Sequence, residues 1–155
     1  MNDFSDLLRA DAVSTGLTVA SKKALFQQLG TMGSALVDID ARVIAERLGE
    51  RERLGSTGFG GGVAIPHAKF PELAAPIGLF VRLGQPLEFQ AVDDLPVDLV
   101  FALLSPVAAG SEHLKALARV SRRMRDRAFL AKLRGAGSKD ALYALFIASD
   151  ARHAA

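Results

Sequence analysis

Along this chain the apolar positions change their spacing twice, from helical to nearly continuous and back to helical. Ser21 is a good N-cap for a helix containing Ala24, Leu25, Gln28 and Leu29, with Gly30 and Gly33 marking its fraying end. Asp40 caps a second helix. Its Val43, Ile44 and Leu48 recur as one buried stripe, while Glu46, Arg47, Glu50 and Arg51 take the wet side. Ahead of these, Asp3 is placed to cap a short helix through Leu8, and Ala12 to Ala20 is rich in β-branched residues that favour extended chain.

At Gly55 the pattern breaks. Residues 55 to 62 read Gly-Ser-Thr-Gly-Phe-Gly-Gly-Gly, and a helix there would lose about 1 kcal/mol per glycine relative to alanine. Val63-Ala64-Ile65 follows as a short strand that Pro66 stops. Ile77 to Leu83 and Val97 to Leu104 read as longer strands, the second apolar enough to be covered on both faces. Gly84-Gln85-Pro86 and Asp93-Asp94-Leu95-Pro96 carry turn chemistry. Beyond them, Ser111 caps a helix to about Arg127, and Ser138 or Asp140 opens a last one through Ala148. Strands in the middle with helices before and after predict an α/β (α+β) fold, one domain over 1–155 with a core of about 5–148. Its mixed parallel and antiparallel sheet is flanked by helices on both sides.

Composition narrows the function. Half of the 155 residues are apolar, enough for a self-sufficient core. The 19 basic and 17 acidic residues nearly cancel, which fits a globular surface better than a nucleic-acid binder. The basic stretch Arg119, Arg122, Arg123, Arg125, Arg127, Lys132 and Arg134 has only Phe129 nearby and reads as a solvated helix face, so no nucleic acid is expected. Cysteine is absent, which removes thiol catalysis, zinc-thiolate sites and disulfides. Leu99 to Leu104 is the longest run of large apolar residues, far short of the roughly 20 a membrane helix needs. Met1 to Ala10 carries Asp3 and Asp6 and no basic n-region followed by an apolar stretch, so no secretory signal is expected. A cytoplasmic protein without membrane insertion is expected.

The chemistry concentrates on His67. Pro66 fixes its own φ near −65° and biases Ile65 toward extended backbone, which gives the histidine a rigid starting point past the strand. Ser56, Thr57 and a glycine-rich backbone lie close by, and glycine lets backbone N–H groups approach an anion. Imidazole near neutral pH is a good nucleophile, and its bond to phosphorus is labile enough to hand the group onward. One ring nitrogen must stay bare to attack, so the other should donate to a backbone carbonyl or a carboxylate. His113 falls in the first turn of the helix after Gly110. A periodicity of about 100° per residue aligns it with Leu117, Val120 and Met124, turned inward to the sheet. Taken singly, one histidine is an ordinary rim residue and the other a core histidine bonded to backbone. Facing each other across a strand end, they make a pair suited to phosphoryl transfer. His153 lies in the tail and carries no role.

Competing motifs fail. Gly61-Gly62 stand where a P-loop needs Lys and Ser/Thr, and Val63 stands where a dinucleotide fingerprint needs its third glycine. There is neither H-E-x-x-H nor G-x-S-x-G, so neither metal nor cofactor is expected.

Three segments carry a family resemblance. They are Arg51-Glu52 through Gly55-Ser56-Thr57-Gly58 to Ala64-Ile65-Pro66-His67, then Pro96 to Pro106, and Glu112-His113-Leu114-Lys115 with Leu117. Together they resemble the enzyme IIA domains of the bacterial phosphoenolpyruvate-dependent phosphotransferase system, fructose/mannitol class, nitrogen-regulatory branch. The resemblance implies that His67 accepts a phosphoryl group from an HPr-like phosphocarrier and that His113 is the second active-site histidine. It also implies that Arg51 and Ser56 or Thr57 support the phosphoryl group or the histidine network. An apolar docking rim is expected around His67, with Phe59 and Phe70 as candidates. The implied role is a regulatory phosphocarrier acting through protein contacts, its targets unspecified and self-association left open. The alternative is a sugar-specific IIA component that delivers phosphate to a IIB domain, often fused in the same chain; none follows the last helix here.

Overall fold

The computed structural model describes residues 4–153. Six strands form one sheet in the order β1-β5-β6-β3-β2, with β4 also paired to β6. β1 (Leu8–Leu17), β5 (Ile77–Leu87) and β6 (Val97–Pro106) are the long strands; β2 (Gly58–Gly60), β3 (Val63–Ala64) and β4 (His67–Phe70) are short. β1 runs parallel to β5, β5 antiparallel to β6, and β3 and β4 parallel to β6, so the sheet is mixed as the sequence predicts.

Alternation along the strands sends side chains to two faces, and each face has its own helices. On one face lie α1 (Lys22–Ser34) and α2 (Ala41–Arg53). Ile44 meets Gly33 there, beside Leu79 and Leu104 of the sheet. On the other lie α3 (Ser111–Arg123), α4 (Arg127–Gly135) and α5 (Lys139–His153). The Phe146 ring of α5 packs at 4.9 Å from Phe80, 5.7 Å from Phe101 and 5.2 Å from Phe129, mostly edge to face. Each such pair adds about 0.5–1.5 kcal/mol beyond its area burial. β6 is buried along its length except at Asp98, which explains its nearly continuous apolar sequence.

Several elements differ from the sequence reading, each for a physical reason. The predicted helix through Leu8 does not form: residues 4–7 make a turn and Leu8 already pairs with Gly78 of β5. Asp3, its proposed cap, lies outside the described residues. Gly30 and Gly33 do not fray α1. Both are buried inside it, because α2 crosses so closely that a Cβ at Gly30 would strike the Ala41 carbonyl oxygen. Gly84-Gln85-Pro86 is strand and not turn. Pro86 sits within the register shift between Arg82 and Leu87, where no ladder bond is lost.

Gly110 occupies the α3 N-cap with φ of 56°, so Ser111 is the first helical residue and caps nothing. The helix predicted to Arg127 stops at Arg123. The Asp126 carboxylate accepts from the N–H groups of Ala128 and Phe129 and starts a separate α4. Ser138 does cap α5, accepting from Ala141 N–H at 3.1 Å, and the helix continues past Ala148 to His153. The His153 side chain lies outside the described residues.

Gly30→Ala should destabilise the protein by about 1–3 kcal/mol, because the helix pair has no room for the methyl group. Denaturant unfolding measures this. A neutral or stabilising change would mean that α1 and α2 are not held at this separation.

Candidate active site

Pairing between β4 and β6 decides which side chains meet. His67 stands opposite Leu103 and Lys69 opposite Ser105. Paired residues share a face, and residues two apart along a strand share it too, so His67 and Ser105 project to the same side. That is the side α3 covers. His113, the third residue of α3, is buried against it, with Nδ1 at 2.7 Å from Ser105 Oγ. The two imidazole centroids lie 5.8 Å apart, their planes inclined at 44°.

His67 does not trail past a finished strand, as its sequence predicts. β3 breaks at Ile65-Pro66 and pairing with the same neighbour resumes at His67, so the histidine opens β4. On one side the Pro66 carbonyl accepts from Leu103 N–H at 2.9 Å. On the other, His67 Nδ1 approaches the Ile65 carbonyl oxygen to 2.8 Å. A carbonyl only accepts, so Nδ1 carries the hydrogen and the neutral ring keeps its lone pair on Nε2. The sequence requires such a donation without saying from which nitrogen.

Burial is the main cause that lowers the His67 pKa below its ordinary value; the Ile65 carbonyl bond raises it, the Arg51 charge lowers it and the Glu52 charge raises it. His113 is also lowered, first by burial, then by the His67 and Lys69 charges. Both rings are therefore held neutral around pH 7, the form in which an imidazole attacks.

The sequence model for the phosphoenolpyruvate-dependent sugar phosphotransferase system, EIIA 2, matches residues 6–149. The chain belongs to this family. The enzyme IIA described here is 44% identical over 142 residues to a nitrogen regulatory protein of Bradyrhizobium diazoefficiens, covering 92% of this chain and 93% of that one. It is 43% identical over 129 residues to a nitrogen regulatory protein of Pseudomonas aeruginosa, covering 82% and 83%. The crystal structure of nitrogen regulatory protein IIA-Ntr from Neisseria meningitidis superposes with a TM-score of 0.87 at 32% identity, over 92% of this enzyme IIA and 98% of that chain.

The other residues singled out in the sequence divide into two groups. Arg51 is close enough to depress the His67 pKa, and its guanidinium donates to the Gly55 carbonyl at 2.9 Å. Ser56 and Thr57 turn their hydroxyls into the scaffold. Ser56 Oγ lies 3.3 Å from the Phe89 carbonyl and accepts from Gly58 N–H, while the buried Thr57 hydroxyl donates to Glu52 at 2.6 Å. Phe70 is wholly buried beneath the Arg47 guanidinium and belongs to the core, not to a docking rim. Phe59 is half-buried, with the Arg125 guanidinium over its ring. Large apolar side chains that do face solvent include Leu54 at the end of α2, and Val107 and Leu114, which bracket His113 in the chain.

Ser105, Lys69 and Glu52 escaped the sequence reading. Ser105 had a signal, being a lone hydroxyl near the end of an otherwise apolar strand. Glu52 had one too: it follows Ile44 and Leu48 at helical spacing, a carboxylate on the buried stripe of α2. Among the described residues no cluster of three potential ligand side chains is placed to hold a metal ion, and no helix is long and apolar enough to cross a membrane.

Lowered histidine pKa values make stability depend on pH with a definite sign. The unfolded chain binds protons more readily, so stability is complete above the ordinary value of about 6.5 and falls as pH drops below it. Chemical denaturation at a series of pH values should show this loss, reduced in His67→Gln/His113→Gln. Equal pH dependence in the variant would contradict the assignment.

Proposed function

We propose that this enzyme IIA is a cytoplasmic regulatory phosphocarrier. His67 accepts a phosphoryl group from the phosphohistidine of an HPr-like donor, and the charged and bare forms engage different proteins. The observation that carries this reading is the His67 hydrogen bond to the Ile65 carbonyl at 2.8 Å, which leaves Nε2 as the bare nucleophile beside a second imidazole. The regulatory part rests on similarity to the nitrogen regulatory proteins.

In the transfer, Nε2 attacks phosphorus in line with the donor's N–P bond. One N–P bond forms as the other breaks, and the released electron pair stays on the donor imidazole. Charge on the three equatorial oxygens is what the acceptor must stabilise. His113 Nδ1 lies 2.7 Å from the Ser105 hydroxyl; in this reading the hydroxyl donates, so that His113 offers an Nε2–H to those oxygens, and Arg51 adds positive charge. Exposed Leu54, Val107 and Leu114 suit docking of a protein that brings its own phosphohistidine. Phe59 and Phe70 are not needed for that rim.

Incubation with phosphoenolpyruvate, an enzyme I-type kinase and an HPr-like carrier should add one phosphoryl group by mass spectrometry, acid-labile and base-stable. His67→Ala should abolish it, and undiminished phosphorylation of that variant would overturn the proposal. His113→Ala should remain folded and slow acceptance by about 10²-fold, in the range for loss of one donor to developing charge. Onward transfer to a IIB protein and a sugar would move the protein to the transport class.

A further inference from the structure

A buried carboxylate takes no part in the transfer step described above. The Glu52 side chain is only 6% exposed, yet it sits at the start of a continuous set of hydrogen bonds that ends on the His67 ring. Lys22 Nζ, from the first residue of α1, lies 2.7 Å from Glu52 Oε2. Glu52 accepts from Thr57 twice, from the hydroxyl at 2.6 Å and from the backbone N–H at 3.1 Å. The Thr57 carbonyl accepts from Ile65 N–H at 3.0 Å. The carbonyl of that same Ile65 receives the His67 Nδ1 hydrogen at 2.8 Å.

We infer that Glu52 is a positioning residue for phosphoryl acceptance: through Thr57 it fixes the Ile65 peptide, whose carbonyl selects the His67 tautomer that leaves Nε2 bare. This rests on the phosphocarrier reading given above. Three physical points support it. First, the segment that Glu52 ties down is weakly held on its own. β2 and β3 are two to three residues each, Gly60, Gly61 and Gly62 all have positive φ, and Thr57 directly precedes β2. Second, the donor set matches a carboxylate. Two hydrogens from Thr57 and an ammonium from Lys22 converge on it, and an amide would set its own N–H hydrogens against one of these donors. Third, a carbonyl displaced by a few tenths of an ångström at Ile65 is displaced at the ring it holds, because only Pro66 separates them and its φ is fixed. Lys22 and Glu52 also line a groove of about 880 Å³ between α1 and α2, so the far end of this path opens to solvent away from the histidines.

The test uses Glu52→Gln, Thr57→Val and the double variant, with Thr57→Ser as the conservative control. Two readouts are needed: phosphoryl acceptance, and ring ¹⁵N NMR of His67 in the unphosphorylated protein. Glu52→Gln should slow acceptance by about 10²-fold, the scale expected when a remote change misplaces a reacting group. It should also shift His67 away from the Nδ1–H tautomer and lower its titration midpoint. Thr57→Val should move both readouts in the same direction without altering any charge, Thr57→Ser should restore them, and the double variant should lose little beyond Glu52→Gln.

A Glu52→Gln effect with Thr57→Val indistinguishable from the unmodified protein would mean that Glu52 acts through its charge alone, and the inference falls. Additive losses would likewise overturn it, since Thr57 would then act independently of Glu52. If Glu52→Gln fails to fold, Thr57→Val against Thr57→Ser still decides the question. Should the unmodified protein accept no phosphoryl group, the functional reading fails separately, and the NMR tautomer still tests the path.

Discussion

The parallel ladder between β4 and β6 is the constraint on which the site depends. Four residues of pairing, His67 to Phe70 against Leu103 to Pro106, set His67 and Ser105 on one face. Ser105 then holds His113, so one register fixes both imidazoles. A one-residue slip would reverse the faces and separate the rings, and burial of β6 on both sides is what forbids the slip. Phe70 closes the ladder from within the opposite core, beneath α2. Core packing and site geometry are therefore one interaction.

The second theme is neutral imidazoles among cations. His67 has Arg51 nearby and His113 has Lys69, and each ring is largely withdrawn from water. Such surroundings disfavour protonation, which costs stability in acid and keeps nucleophilic nitrogen available near neutrality. They also suit an incoming phosphoryl group, since cations that repel a ring proton attract anionic oxygens.

The two helices of the opposite face carry a different lesson about legibility. Ser21 and Asp40 cap α1 and α2 as their sequence predicts, because capping is a local hydrogen bond between near neighbours. Gly30 and Gly33 read in the sequence as the fraying end of α1. Only the crossing of α2 over α1 settles that they are packing positions. Gly84-Pro86 misled in the same way: its turn composition is real, but the segment is the irregular stretch of β5 between the Arg82–Leu99 and Leu87–Val97 pairings.

By itself the sequence determined the mixed sheet with its flanking helices and the family, and it singled out the two histidines that the fold brings face to face, since periodicity, caps and contiguous motifs are local properties. It placed His113 inward because helical phase is local too. Tertiary structure decided the rest. It chose the nitrogen of His67 that bonds to backbone, set Ser105 behind His113, moved Phe70 from rim to core, and turned the Ser56 and Thr57 hydroxyls into the scaffold. The reason is the same in each case. These are contacts between segments far apart in the chain or folded back on themselves, and their partners exist only once strand register and helix crossing have been fixed.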